Sequence, residues 1–221
     1  QIISQVFRYA VITGRAKHNV AADLRGALRP RKTVHRAAVL EPEKVGQLLR
    51  DIDAYEGYFP LVCALKLAPL VFTRPTELRA AQWNEFDLEA GEWRIPAERM
   101  KMRRQHLVPL SQQAMSILRE LQKYSGEGKF LFPSIRTGVR PISDATMLNA
   151  LRRMGYQKHE MSVHGFRSIA STLLNELGYN RDWIERQLAH GEQDEVRAAY
   201  NYAEYLPERR KMMQAWAASS F

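Results

Sequence analysis

Apolar residues along the chain change their spacing several times, and each change marks a predicted element. Ile3, Val6, Phe7, Ala10 and Val11 recur at helical intervals until Gly14 breaks the pattern. Asn19 to Arg25 has the composition of a short second helix. Residues 26–40 lose all periodicity, hold Gly26 and Pro30, and carry Arg29, Arg31, Lys32, His35 and Arg36. Such a segment reads as an extended cationic linker, suited to lie along a phosphate backbone. From Glu41 the pattern becomes regular. Pro42 fits a first helical turn, and Val45, Leu48, Leu49 and Ile52 form one apolar stripe. A second helix of this compact region is expected over about 58–70. A third starts at Arg74-Pro75 and runs to about Gln82, with Thr73 as its N-cap.

The period then shifts. Glu92-Trp-Arg-Ile-Pro and His106-Leu-Val-Pro-Leu are short and rich in β-formers, with polar sequence between them. They predict a β-hairpin with a long basic tip. Ser111 caps a helix to about Tyr124, and Lys129-Phe-Leu-Phe-Pro reads as a short buried strand. Helices follow at about 143–154, 164–177, 180–189, 194–203 and 207–217, with Gly178 placed to stop one of them. The predicted fold is mainly α with a small antiparallel β-sheet or hairpin.

Composition narrows the class. With 221 residues and 45% hydrophobic content, the chain fits one globular domain, or one domain plus a fragment of another. It begins with Gln inside a predicted helix and reads as a piece of a longer protein. Cys63, its one cysteine, sits among apolar neighbours, which suits a buried thiol in a reducing cytoplasm. No apolar run approaches the roughly 20 residues needed to span a bilayer, so no membrane role is expected. No Cys/His set has zinc spacing, and neither a metal nor any other cofactor is expected. The formal charge of +9 favours a polyanionic partner, with nucleic acid first.

Five segments carry candidate chemistry: Thr73-Arg-Pro-Thr-Glu-Leu, Met100-Lys-Met-Arg-Arg-Gln-His-Leu-Val-Pro-Leu, His164-Gly-Phe-Arg, Leu188-Ala-His and Ala198-Ala-Tyr-Asn-Tyr-Ala. Taken singly, each is ordinary: an arginine at a helix start, a tip lysine, a histidine at a helix end, a helix tyrosine. Phosphodiester cleavage passes through a pentacoordinate phosphorus with charge on its non-bridging oxygens. Fixed, always-charged guanidinium groups stabilise that state best. Arg74 and Arg167 are the candidate donors. Glu77, three residues after Arg74, shares its helix face and can orient it. His164 lies three residues before Arg167 and on the same face, where it can donate to a phosphate or act as acid or base. Gly165 between them allows close backbone approach.

In their order and spacing the five segments resemble the tyrosine recombinase (phage integrase) family, over roughly residues 42–217. Arg99-Met-Lys-Met-Arg-Arg and Arg186-Gln-Leu-Ala-His are similar to integrases of prophages and genomic islands. The resemblance implies a catalytic set of Arg74, Lys101, His164, Arg167, His190 and Tyr200. Tyr200 would be the nucleophile, Lys101 the general acid for the leaving 5′-oxygen, and His190 a phosphate ligand. Glu77 would support Arg74, and Arg103 and Arg104 would contact DNA. The His190–Tyr200 interval is one residue longer than the common family spacing, and Tyr202 stands where a basic residue is expected. The implied organisation is a core-binding remnant at 1–27, a linker at 28–40 and a catalytic domain at 41–221.

The expected function is metal- and ATP-independent site-specific recombination through a 3′-phosphotyrosine. The implied partner is double-stranded DNA carrying attachment sites, bound by a tetramer on synapsed DNA. The free fragment is expected to be monomeric, and DNA-bending or excision factors to assist. The setting would be the bacterial cytoplasm, at the nucleoid. A type IB topoisomerase, which would relax supercoils without sequence preference, and a catalytically silent DNA-binding regulator are the alternatives. The last helix carries Leu206, Met212, Met213 and Trp216, a stripe that suits docking on a neighbouring protomer or on its own domain.

Overall fold

The computed structural model describes residues 2–24, 37–190 and 205–220. It divides into two compact units, residues 1–35 and 36–221. In the first, α1 (Ile2–Ile12) forms as the spacing predicts, and Gly14 ends it at φ 70°. None of its residues is buried. The second short helix is absent over the described part of its range. Asn19 Oδ1 accepts from the Ala21 N–H at 3.1 Å, and the Asn19 amide donates to Ser4 Oγ at 2.9 Å. That side chain captures a backbone donor and favours turns over a helix.

The second unit is built around α3 (Phe59–Val71), which is apolar except for Lys66 and buried along most of its length. It packs against α2 (Pro42–Asp53), α5 (Gln112–Ser125), α6 (Asp144–Arg153), α7 (Gly165–Glu176) and α9 (Leu206–Ser220). A helix hydrophobic nearly all round belongs at a core's centre. The predicted stripe of α2 (Val45, Leu48, Leu49 and Ile52) faces inward as expected. α3 ends at Phe72, buried and left-handed at φ 34°. Next comes α4 (Pro75–Arg79), only five residues long rather than reaching Gln82. The chain leaves the helix early because another strand-like segment takes its backbone. Leu131 N–H donates to Ala81 O at 3.0 Å, and Trp83 N–H to Lys129 O at 3.1 Å. The predicted strand over Lys129–Pro133 is reduced to isolated bridges, Gln82 with Phe130 and Pro133 with Pro141.

The sheet has three antiparallel strands in the order β1 (Phe86–Asp87), β2 (Glu92–Ile95) and β3 (His106–Pro109). Trp93 pairs with Val108, and Ile95 with His106. Strand β1 was not anticipated, because two residues cannot display an alternating pattern. A buried carboxylate ties the hairpin to α4. Glu85 Oε2 accepts from Trp93 Nε1 at 2.9 Å, and both its oxygens pair with Arg99 Nη1. Arg99 Nη2 donates onward to Glu77 O at 2.6 Å. Glu85→Ala would strand a largely buried guanidinium and a buried indole N–H. The expected loss is about 3–5 kcal/mol, read as a lower urea midpoint at unchanged m-value.

Past α5, α6 and α7, Gly178 at φ 78° ends α7, as predicted. α8 (Arg181–Gln187) begins at an Asn180 cap that accepts from the Asp182 N–H at 2.8 Å. The helix expected over 194–203 lies outside the described residues. The last helix, α9, packs on its own domain. Met212, Met213, Trp216 and Ala217 are buried, and Trp216 Nε1 donates to Pro69 O at 2.9 Å. Arg209, completely buried, donates to Gln187 Oε1 and Leu107 O, joining α9 to α8 and β3.

Candidate active site

Pro75 occupies the first helical position of α4, so the N-cap is Arg74 (φ −67°, ψ 145°) and not Thr73. Thr73 is buried, and its hydroxyl has no partner among the described residues. Capping falls to Glu77, 2% exposed, which reaches back to the start of the helix. One carboxylate oxygen accepts from the Arg74 backbone N–H, and the other from Arg74 Nη1, each at 2.9 Å. One acidic side chain therefore both closes the helix start and aims the guanidinium, the orientation expected from the Arg-x-x-Glu spacing.

Arg167 sits in the first turn of α7, 4% exposed. Its Nη1 donates to Phe72 O at 2.8 Å and its Nη2 to Leu188 O at 2.6 Å. These carbonyls fix the plane of the guanidinium. Burial, and next the charge of nearby Arg74, lower its pKa to about 10, while Glu77 and Glu185 act the other way. It stays cationic at neutral pH. Gly165 beside it has no room for a side chain. A Cβ there would meet Ala37 O at 2.7 Å and Met161 Sδ at 2.9 Å. The close approach is that of the Ala37–Ala38 backbone, whose Ala37 O also accepts from the Ser162 N–H at 3.1 Å and from Ser162 Oγ at 3.0 Å. Phe166 points into the core, 2% exposed.

The C-terminal end of α8 gathers the site. Ala189 is left-handed at φ 49°. Its N–H donates to Arg186 O, and the His190 N–H to Glu185 O, both at 3.1 Å. This is a Schellman ending with alanine where glycine is usual, a conformation costing roughly 1–2 kcal/mol for an L-residue. Side chains from three other elements take the next carbonyls. His106 of β3 donates through Nε2 to Gln187 O at 3.1 Å, Arg167 binds Leu188 O, and Arg74 Nη2 donates to Ala189 O at 3.2 Å. Orphan carbonyls and the negative end of the helix dipole attract cations here. Two guanidinium groups distant in sequence are thus held on adjacent carbonyls. His106 is neutral, its pKa pushed down to about 3 by burial first and Arg209 second.

His190 lies in the same cluster. Its Nε2 is 3.2 Å from Arg167 Nη2, and its Nδ1 is 2.7 Å from Glu185 Oε2. His164, the N-cap residue of α7, is half-buried. It lines a cavity of about 520 Å³ together with Arg74, Arg79, Lys101, Ser143 and Asp144. Arg79 there is paired with Asp144 and donates to Ile142 O at 3.2 Å. Lys101, exposed on the hairpin, reaches the cavity rim, while Arg103 and Arg104 are exposed beyond it. Arg74 is bonded to Glu77 and Arg167 to His190, the two arginines also meet at the Leu188 and Ala189 carbonyls, and His164 and Lys101 share the cavity that Arg74 lines. Tyr200 and Tyr202 lie outside the described residues.

Sequence reasoning missed Glu185, His106, Arg99 and Arg209. Glu185 meets His190 only because the helix ends in a left-handed residue, which no 3.6-residue periodicity reveals. The motif Arg99-Met-Lys does contain Arg99, but nothing in it marks that arginine as the inward-facing one.

Known proteins resemble this chain in sequence and in fold. A model of the phage integrase family matches residues 38–206, and one of the phage integrase central domain matches residues 1–27. The integrase of Enterobacteria phage P4 is 42% identical over 232 residues, covering 98% of this chain and 53% of that protein. A prophage integrase of Escherichia coli K12 is 40% identical over 218 residues, covering 98% of this chain and 52% of that protein. The chain therefore spans about half the length of these curated relatives. Among solved structures, the lambda integrase tetramer bound to a Holliday junction superposes with TM-score 0.62 at 20% identity, covering 87% of this chain and 57% of that one. The family match over most of the second unit, two relatives at or above 40% identity and a shared fold place this chain in the phage integrase, or tyrosine recombinase, family.

Proposed function

We propose that this chain is the catalytic part of a site-specific DNA recombinase that integrates or excises a prophage or genomic island. One observation supports this above the rest: Arg74, Arg167 and His190 converge at the end of α8. A phosphate seated there meets two fixed guanidinium groups and an imidazole. Such preorganised donors stabilise the pentacoordinate state more than the ground state. In the proposed reaction the Tyr200 phenol oxygen attacks phosphorus, the P–O5′ bond breaks, and Lys101 protonates the departing 5′-oxygen. The phenol proton leaves to His190 or water. The covalent 3′-phosphotyrosine conserves the bond, and attack by a 5′-hydroxyl reverses the step without ATP. Positive side chains offset the charge on phosphorus, so EDTA is expected to leave cleavage unchanged.

Residues 1–27 are read as the end of a core-binding domain, 28–40 as the linker and 41–221 as the catalytic domain. The basic hairpin residues Arg103 and Arg104 would hold phosphates flanking the cut without reading sequence. Recombination exchanges strands between two duplexes, so the working form is a tetramer on synapsed attachment sites, assisted by DNA-bending or excision factors. The lambda integrase tetramer on its Holliday junction supports that assembly by analogy of fold. The reaction would take place on the bacterial nucleoid.

A nicked suicide substrate tests the reading. The chain is incubated with DNA whose cleaved downstream fragment diffuses away, and the trapped adduct is digested for mass spectrometry. The expected modified peptide contains Tyr200. An adduct on Tyr202 or Tyr205 would move the nucleophile, and no adduct on any tyrosine would reject the phosphotyrosine mechanism.

A further inference from the structure

We infer that Glu185 is a positioning residue that holds His190 by Nδ1, so that Nε2 alone is presented to Arg167 and to a phosphate bound beside it. This rests on the phosphoryl-transfer reading above. Glu185 grips His190 twice. Its carbonyl accepts the His190 backbone N–H at 3.1 Å, and its carboxylate lies 2.7 Å from Nδ1. The first contact sets where the residue leaves the helix, and the second sets the rotation of the ring.

The partners assign the tautomer. A guanidinium only donates, so Nε2, 3.2 Å from Arg167 Nη2, accepts. A carboxylate accepts, so Nδ1 carries the proton and donates to Glu185. The ring is then a neutral imidazole with its one lone pair on the side of Arg167. When a phosphate takes the arginine's donor, that lone pair is the place where a proton is gained. A proton bound there makes Nε2 a donor to a phosphate oxygen, while Nδ1–H keeps its bond to Glu185. Without the carboxylate the ring is free to flip or to carry its proton on Nε2, which points a hydrogen at Arg167. The left-handed Ala189 makes this contact possible by folding His190 back over the last turn of α8.

The test uses the full chain, its ring-nitrogen NMR spectrum and cleavage of the nicked suicide substrate. Glu185→Gln keeps an oxygen able to accept from Nδ1. It should retain the Nδ1–H tautomer and lose under about tenfold in rate. Glu185→Ala should shift the His190 ring nitrogens toward the other tautomer or a mixture. Its cleavage should fall about 10- to 100-fold, the scale seen when a histidine loses its outer partner at metal sites. In a His190→Ala background, Glu185→Ala should cost nothing more. An unchanged ring spectrum in Glu185→Ala, or an equal further loss in the His190→Ala background, would overturn the positioning role alone. Cleavage at the parent rate by His190→Ala itself would instead overturn the reading of the site on which that role depends.

Discussion

Tyr200→Phe is expected to abolish covalent attachment to DNA while leaving DNA affinity within about twofold. The substitution removes one oxygen and no charge. Phosphate contacts by Lys and Arg dominate affinity and its salt dependence, and none of them changes. The chemistry, by contrast, has no substitute for the missing nucleophile. Covalent adducts resolved on denaturing gels measure the first quantity, and fluorescence anisotropy against salt concentration measures the second. Adducts persisting at the parent level in Tyr200→Phe would transfer the role to Tyr202 or Tyr205. A large fall in affinity would show instead that the phenol is chiefly a binding group.

Tyr200 is picked out by its place in a motif after two alanines, and it lies outside the described residues. The other members of the set were legible to different degrees, for physical reasons. Arg74 and Glu77 could be read together because they are three residues apart on one short helix, where spacing fixes geometry. His164 and Arg167 were readable in the same way. That both arginines share one site was not, since what joins them is a helix end whose Leu188 carbonyl is 21 positions from Arg167 and whose Ala189 carbonyl is 115 from Arg74. Helix ends expose carbonyls to whatever comes near, and the sequence records no partner for them. The stripe of α2 was visible because amphipathic periodicity reports burial, whereas the apolar residues of α9 left open which surface would cover them. The early end of α4 was not, since it depends on pairing with residues 129–131. Short strands and turns such as β1 and Asn19–Leu24 lack the length over which any period can be seen. Buried charges were the least legible class. Arg99, Arg209 and His106 look like surface residues in composition, and only the carboxylate, amide or carbonyl that each meets explains why it is inside.

Arg167→Ala should show what it means to build a catalytic group into the fold. Cleavage is expected to fall by roughly 10²-fold or more, the scale of losing a preorganised charge donor. Stability should fall as well. Phe72 O and Leu188 O both lose their guanidinium donor, and each buried carbonyl left unsatisfied costs about 1–3 kcal/mol. Phe72 is also left-handed, so the segment before Arg74 would lose a tether that holds a strained residue. Arg74→Ala is the comparison. Arg74 pairs with the buried Glu77, so a comparable rate loss should come with a stability loss of its own, from a buried carboxylate left without its cation. Urea unfolding and single-turnover cleavage of both variants separate the two effects. Parent-level stability of Arg167→Ala would show that Arg167 is not a structural tether. Parent-level cleavage by a folded Arg167→Ala protein would remove the guanidinium from the reaction. If stability and rate fall together for Arg167→Ala, the guanidinium that aligns the phosphate also fastens α7 to the ends of α3 and α8. In that case the order of the site and the order of the core are set by the same side chain.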